Sequence, residues 1–201
     1  MNLVEIDGYE DKGIKIDPNG TQGENIELHG LLVVLPKKPK RSKILFHEKP
    51  KDMQMWQRIP MPKELQNVRT MDEWFEKPPE FRKKFSSYIE GEFERRRNGV
   101  WFYNHGTPTY ITGRHYMFLQ WSKIDIGYPS YLTYQNEIFL HMAACEADPR
   151  CIGQLYTKCR RSGYTNICAS VLVDESTQVK DKLLGIQSKT GKDAQENIFM
   201  K

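Results

Sequence analysis

Hydrophobic positions fall into helical register over two stretches of the chain. After Pro78-Pro79, Phe81, Phe85, Tyr88, Ile89 and Phe93 recur at helical spacing, Arg and Glu fill the opposite face, and Asn98-Gly99 closes the run. Pro129 precedes a second amphipathic helix, expected from about Thr133 to Ala147 and stopped by Asp148-Pro149. Between them the pattern changes. Val100 to Tyr103 and Thr109 to Thr112 are aromatic and β-branched runs, joined by a five-residue turn at Asn104-His105-Gly106-Thr107-Pro108, which predicts a β-hairpin. Gly113 to Trp121 is apolar enough for a short helix. Ahead of residue 72 the text is less foldable. Asp17-Pro18-Asn19-Gly20 reads as a turn, and Leu28 to Leu35 is the one stretch that looks like a strand.

The last fifty residues repeat a different order. Ile152 to Thr157 is β-rich, Lys158 to Thr165 is a loop of small and basic residues, helix-compatible text runs to about Gln178, and Leu183 to Gln187 is a second apolar run. Strand, loop, helix and strand predict a βαβ unit, the element from which parallel sheets are built.

Composition sharpens this picture. The 201 residues are 38% apolar and 28% charged, with a mean hydropathy of −0.68; a chain so polar is expected to hold part of itself outside a core, around one domain or one domain and part of a second. The N-terminal pattern is not that of a signal peptide, and no window approaches the ~18 apolar residues of a membrane helix, so no membrane partner is expected. The net charge of +4 is mild but unevenly spread. Residues 1–35 carry seven acids and two bases, whereas 36–58 carry eight bases and two acids. Pro36 and Pro39 exclude a regular element in the basic run, which reads as a solvated linker or as an arm contacting nucleic-acid phosphates.

The four cysteines contain no CxxC pair and are expected as buried small residues in a reducing compartment. The five histidines show neither HxH nor HxxxH spacing, and no GxSxG occurs. The strand-to-helix loop is therefore the strongest chemical signal. Glycine lets backbone N–H groups turn inward, the helix N-terminus adds partial positive charge, and a hydroxyl at the helix start can hold Mg²⁺. Against GxxxxGK[ST], Gly163 and Thr165 fall on the second glycine and the hydroxyl, Lys158 takes the place of the first glycine, and Tyr164 replaces the lysine. Positive charge is relocated: Lys158, Arg160 and Arg161 crowd one loop, an arrangement that an anion relieves. The same spelling also suits an ordinary surface βα loop.

From about Trp101 to Lys201 the chain resembles the N-terminal part of the ATPase domain of tailed-bacteriophage large terminase subunits, the DNA-packaging motors. The text Trp-Phe-Tyr-Asn-His-Gly-Thr-Pro-Thr-Tyr-Ile-Thr-Gly, running into His-Tyr-Met-Phe-Leu-Gln-Trp, is similar to a stretch ahead of the motor domain. Pro129-Ser-Tyr131 and the following helix with Gln135 resemble the adenine-binding segment, and Lys158-Cys-Arg-Arg-Ser-Gly-Tyr-Thr resembles the deviant phosphate loop. The resemblance implies that Lys158 contacts the β/γ-phosphates of ATP, that Ser162, Gly163 and Tyr164 wrap them, and that Thr165 binds Mg²⁺. It also implies that Arg160 or Arg161 neutralises transition-state charge and that Tyr131 and Gln135 read adenine. A core tyrosine and a surface amide are the alternative for that last pair. Implied partners are double-stranded viral DNA and, in a full motor, the portal, the small terminase subunit and an oligomeric ring, at the assembly site in the host cytoplasm.

A motor also needs an apolar strand ending in Asp-Glu. Val171-Leu-Val-Asp174-Glu175 has that spelling, but only eight residues separate Thr165 from Asp174, too few for a helix and a returning parallel strand. These acids are expected at the polar end of the helix instead. Only 36 residues follow Thr165, so the resemblance implies the front part of a terminase, truncated, split or trimmed, without an acidic motif or nuclease domain and inactive alone.

The expected architecture is thus α/β: an acidic lead and basic arm, poorly ordered, over 1–70; a helix and aromatic hairpin over 71–128; and an incomplete P-loop, parallel-sheet ATPase domain over 129–201. The rival reading is a non-enzymatic module binding DNA or a packaging protein.

Overall fold

The computed structural model describes residues 15–16, 25–28, 31–46, 56–124, 127–158, 162–185, 187 and 190–195. It is mixed α and β, with two small antiparallel sheets among the described residues. No described helix is long and apolar enough to cross a membrane.

The N-terminal lead contains more structure than its composition suggests. Strands β1 (Lys15–Ile16), β2 (Asn25–Leu28) and β3 (Leu31–Val34) form a sheet with β3 in the centre. The single strand expected from Leu28 to Leu35 is therefore two, since Leu28 pairs with Leu31 across a reversal. The expected turn at 17–20 lies outside the described residues. Leu28 and Val33 are buried, which gives this sheet a core to rest on.

Next in order come α1 (Met71–Glu76), α2 (Pro79–Asn98), β4 (Val100–Asn104) and β5 (Thr107–Ile111), then α3 (Gly113–Trp121), α4 (Thr133–Ala147), α5 (Tyr164–Gln178) and the short α6 (Gly191–Ala194). The hairpin turn is tighter than expected. Asn104 pairs with Thr107, leaving only His105 (φ 46°) and Gly106 (φ 81°) between the strands. A two-residue turn of this hand matches the twist of the strands it joins.

That hairpin organises the interior because both of its faces are covered. Phe102 and Ile111 point into one cluster with Trp56, Tyr116, Phe118, Leu119, Tyr131, Phe139, Met142 and Ile167. Tyr110, with Trp101 beside it, turns to a second cluster with Leu28, Val33, Leu140 and Ala144. Side chains alternate along a strand, so a sheet buried on both faces must be apolar at successive positions. This accounts for the unbroken aromatic run Trp101-Phe102-Tyr103.

The basic run is anchored at its C-terminal side. Ile44 is buried; Leu45 donates its N–H to the Trp101 carbonyl (3.0 Å) and accepts from the Tyr103 N–H (3.1 Å), a parallel bridge beside Phe102. Lys37, Lys38, Lys40, Arg41 and Lys43 remain exposed, around one 3₁₀ turn at Arg41–Lys43.

The buried face of α2 is rotated from the expected stripe. Phe85 and Glu92 are buried, and Phe93 is exposed. The cause is polar: Glu92 accepts from the Tyr116 hydroxyl (2.7 Å) and the Trp121 indole (3.2 Å) and pairs with Arg95. Burying this carboxylate is possible because each neighbour donates to it. Gly113 sets the approach of α3 to the end of α2, since a Cβ there would lie 1.8 Å from the Arg96 carbonyl oxygen.

Among the described residues, neither run expected as a strand of a βαβ unit forms one. Residues 151–158 and 182–185 belong to no helix or strand, and Ile152, Leu155 and Leu183 are almost fully exposed. Both runs have the composition of buried strands, but among the described residues no neighbouring strand offers the hydrogen bonds or the cover that such a run requires. The helix between them is formed as expected.

Candidate functional site

The loop that opens α5 is the focus. Gly163 stands at the helix N-cap with φ +74°, the left-handed region that glycine enters without steric cost. Its carbonyl accepts from the N–H groups of Asn166 (3.0 Å) and Ile167 (3.2 Å). No side chain caps the helix, so the first-turn N–H groups of Tyr164 and Thr165 have no intrahelical partner. Thr165 is half-buried on this first turn.

The start of α4 packs against this loop. The Tyr134 hydroxyl donates to the Ser162 carbonyl (3.1 Å) and accepts from the Gln135 amide (3.4 Å). Gln135 is buried, and its amide nitrogen lies 3.6 Å from where a Cβ on Gly163 would stand. Two buried polar atoms here, the Gln135 side-chain oxygen and the Ser162 hydroxyl, have no hydrogen-bond partner. Unsatisfied buried acceptors and donors are costly and rare in native interiors. Their pairing beside an uncapped helix start gives the loop the donors and acceptors a polar ligand would use.

Lys158 is exposed, and its charge reaches the Cys168 thiol on the second turn of α5. Burial outweighs that charge and pushes the Cys168 thiol up. The lysine side chain is exposed to solvent just ahead of the loop in sequence. Arg160 and Arg161 lie outside the described residues. Tyr164 occupies the place where a phosphate loop usually carries lysine, and its ring packs on Tyr156 at 5.2 Å. Burial and the neighbouring Cys168 push its hydroxyl up to about 12.

Tyr131 is not at this loop. It is buried in the main core, edge-on to Phe102 (5.2 Å) and stacked with His115 (5.6 Å), so neither ring face is free for a base. Tyr134, half-exposed and bonded to Ser162, is the tyrosine that the fold brings to the loop. Its sequence signal was its place next to Gln135 in the first turn of α4; which of two nearby tyrosines faces inward depended on packing.

Asp174 and Glu175 lie within α5, as their short distance from Thr165 required. Asp174 is buried and accepts two bonds from Arg96, at 3.0 and 2.7 Å, and one from Gln178 at 2.8 Å. Glu175 pairs with Arg114 and Lys182. Both carboxylates are thus committed to cations at the far end of the helix from the loop. Among the described residues no group of three His, Cys, Asp or Glu side chains is placed to hold a metal ion. Thr165 offers one hydroxyl of the set that Mg²⁺ would need.

Comparison with protein-family models, curated proteins and solved structures finds no match to the chain. The functional reading therefore rests on the loop.

Proposed function

We propose that this chain is a nucleotide-binding portion of a viral large terminase, whose ATPase drives double-stranded DNA into a prohead. The observation that carries the reading is the meeting of the buried, half-satisfied Gln135 amide with Gly163 at the uncapped start of α5. In this reading the N–H groups of Tyr164 and Thr165 bind phosphate oxygens at the positive end of the helix dipole. Lys158 adds a mobile positive charge from the loop's near side. Gln135 and Tyr134 hold the base edge and face, and Thr165 presents its hydroxyl to Mg²⁺. ATP supplies the phosphoanhydride whose cleavage would power movement, and Mg²⁺ would offset the charge on its phosphates. The exposed Ile152, Leu155 and Leu183 fit two strands of a P-loop sheet that requires further strands beside them. The site would operate in the host cytoplasm, where proheads are filled.

Binding is the step these residues support. The acids of α5 are occupied by Arg96, Arg114 and Lys182, so hydrolysis requires a carboxylate from outside this set to position water. ATP titration by calorimetry tests the loop: Lys158→Ala should weaken binding far more than Lys180→Ala, and equal effects would refute the assignment.

One observation favours a second reading, a DNA-binding module without turnover. Five exposed cations from Lys37 to Lys43 pair with no described acid and are held to the body by Ile44 and Leu45. Such a surface suits a phosphate backbone.

A further inference from the structure

Beyond the end of α4 the chain turns back on itself. Asp148 caps the reversal: its carbonyl accepts from the Cys151 N–H (2.9 Å), and its carboxylate accepts from the Arg150 N–H (3.0 Å) and the Arg150 guanidinium. Residues 151–158 then retrace α4. The Gln154 amide donates to the Met142 carbonyl (3.2 Å), and the Tyr156 hydroxyl bonds His141 Nδ1 (2.8 Å) and the Ile138 carbonyl (3.4 Å). In this antiparallel course 154 lies over 142 and 156 over 138–141, which sets 151 over 145. Both positions are cysteine, and both are half-buried free thiols. They line one open cavity of about 420 Å³ with Asp148 and Arg150, into which a small oxidant can pass.

From this register and the shared cavity we infer that Cys145 and Cys151 form an intramolecular disulfide when the protein meets a peroxide. One thiolate attacks hydrogen peroxide, becoming a sulfenic acid and releasing hydroxide. The second sulfur displaces the sulfenic hydroxyl, so two thiols and one peroxide yield one disulfide and two waters. Burial first, and the Cys151 thiol second, push the Cys145 thiol up to about 11. The other described cysteine, Cys168, sits on α5 against Tyr164.

The bond would fasten the segment that ends in Lys158 to the last turn of α4. It thereby joins the approach to the candidate loop to the helix carrying Gln135, whether or not that loop binds nucleotide.

Tryptic mapping tests the pairing, because each cysteine falls in a different peptide: 124–150, 151–158, 159–160 and 162–180. The folded protein is treated with hydrogen peroxide, alkylated and digested without reductant. The expected product is peptide 124–150 joined to 151–158, lighter than the sum of the two by two hydrogens. Cys168→Ser should leave the link intact, and Cys151→Ser should remove it. In concentrated urea the same treatment should scatter the pairings, since the register is then lost. Four results would overturn the inference: a native link to Cys159 or Cys168, a link between two chains, both thiols still alkylated after oxidation, or the same single link formed equally well in urea.

Discussion

Arg96 at the end of α2 and Asp174 in α5 are 78 positions apart, yet the guanidinium places both Nε and Nη2 on one carboxylate oxygen, at 3.0 and 2.7 Å. Both side chains are largely buried, 12% and 3% exposed. The pair ties the helix of the candidate loop to the helix–hairpin unit. It also explains why an acidic spelling at the end of an apolar run need not be catalytic: the fold uses this carboxylate to hold two helices together.

Asp174→Ala should therefore destabilise the protein by about 3–5 kcal/mol, the usual cost of leaving one member of a buried pair uncompensated. Urea unfolding measures this directly. An unchanged midpoint would mean that solvent reaches Arg96 freely.

The same carboxylate should contribute nothing specific to turnover. Steady ATP hydrolysis by the chain alone at about 1–100 s⁻¹, the range of kinases, abolished by Asp174→Asn in a still-folded protein, would make Val171–Glu175 an acidic motif after all. The expected result is no turnover in either form.

His115 gives the fold a defined response to acid. Its ring is fully buried between Tyr131 and Phe139, its Nδ1 bonds Asn136 (3.0 Å), and its Nε2 has no partner. Burial outweighs the Asn136 bond and lowers its pKa from 6.5 to about 3. The unfolded chain thus takes up a proton at a pH where the folded one does not. Stability is fully present above about pH 6.5 and falls as pH drops toward 3, by about 1.4 kcal/mol per unit from this residue alone. Asp148, held down to about 2 by Arg150, loses its ionised advantage only below its ordinary value of 3.8. Urea midpoints between pH 6.5 and 4 should thus decline in the wild type, and His115→Phe should flatten the decline. Parallel slopes would place the titrating group elsewhere.

Gly113→Ala should be strongly destabilising, because the new Cβ meets the backbone oxygen of Arg96, which cannot rotate away. Overpacking typically costs about 1–3 kcal/mol, and a backbone clash belongs at the top of that range or above. Gly153→Ala, where a Cβ meets open space, serves as the control and should be neutral. Thermal melts of the two variants separate these outcomes.

If the cations from Lys37 to Lys43 contact duplex DNA, binding should be indifferent to sequence and steep in salt. Four phosphate contacts would give a log–log slope of about −3.6, at about −0.9 per contact. Replacing the five bases with glutamine should flatten the slope by several units while leaving ATP binding unchanged. Substitution is preferable to deletion, because removing 37–43 would pull on Ile44 and Leu45. A slope that survives the substitution would return the run to a solvated loop.

Local signals carried much of the fold. The bounds of α2 and α4 were legible because proline, Asn98-Gly99 and Asp148-Pro149 act on the chain where they stand. What was not legible depended on distant partners. Glu92 displaced Phe93 from the buried face because Tyr116 and Trp121, more than twenty positions on, point donors at it. Ile152–Thr157 and Leu183–Gln187 spell strands, but pairing is a property of two chains of residues and not of one. At the candidate site, Gly163 and Thr165 were readable from the loop spelling. That Tyr131 is buried against the hairpin while Tyr134 reaches the Ser162 carbonyl was not, because that depends on which side of the start of α4 meets the hairpin.

The anchoring of the basic run has a last consequence. With β3 fixed upstream through Val33 and Ile44 and Leu45 fixed downstream, the five cations form a closed handle and not a free tail. A handle has already lost much of its chain entropy, so it forfeits less than a tail on meeting a surface. It can also be cut without coming apart. A protease that nicks after Lys40 or Arg41 should leave two fragments that migrate as one particle, the first held on the second by Leu28 and Val33 packed against Tyr110, Leu140 and Ala144.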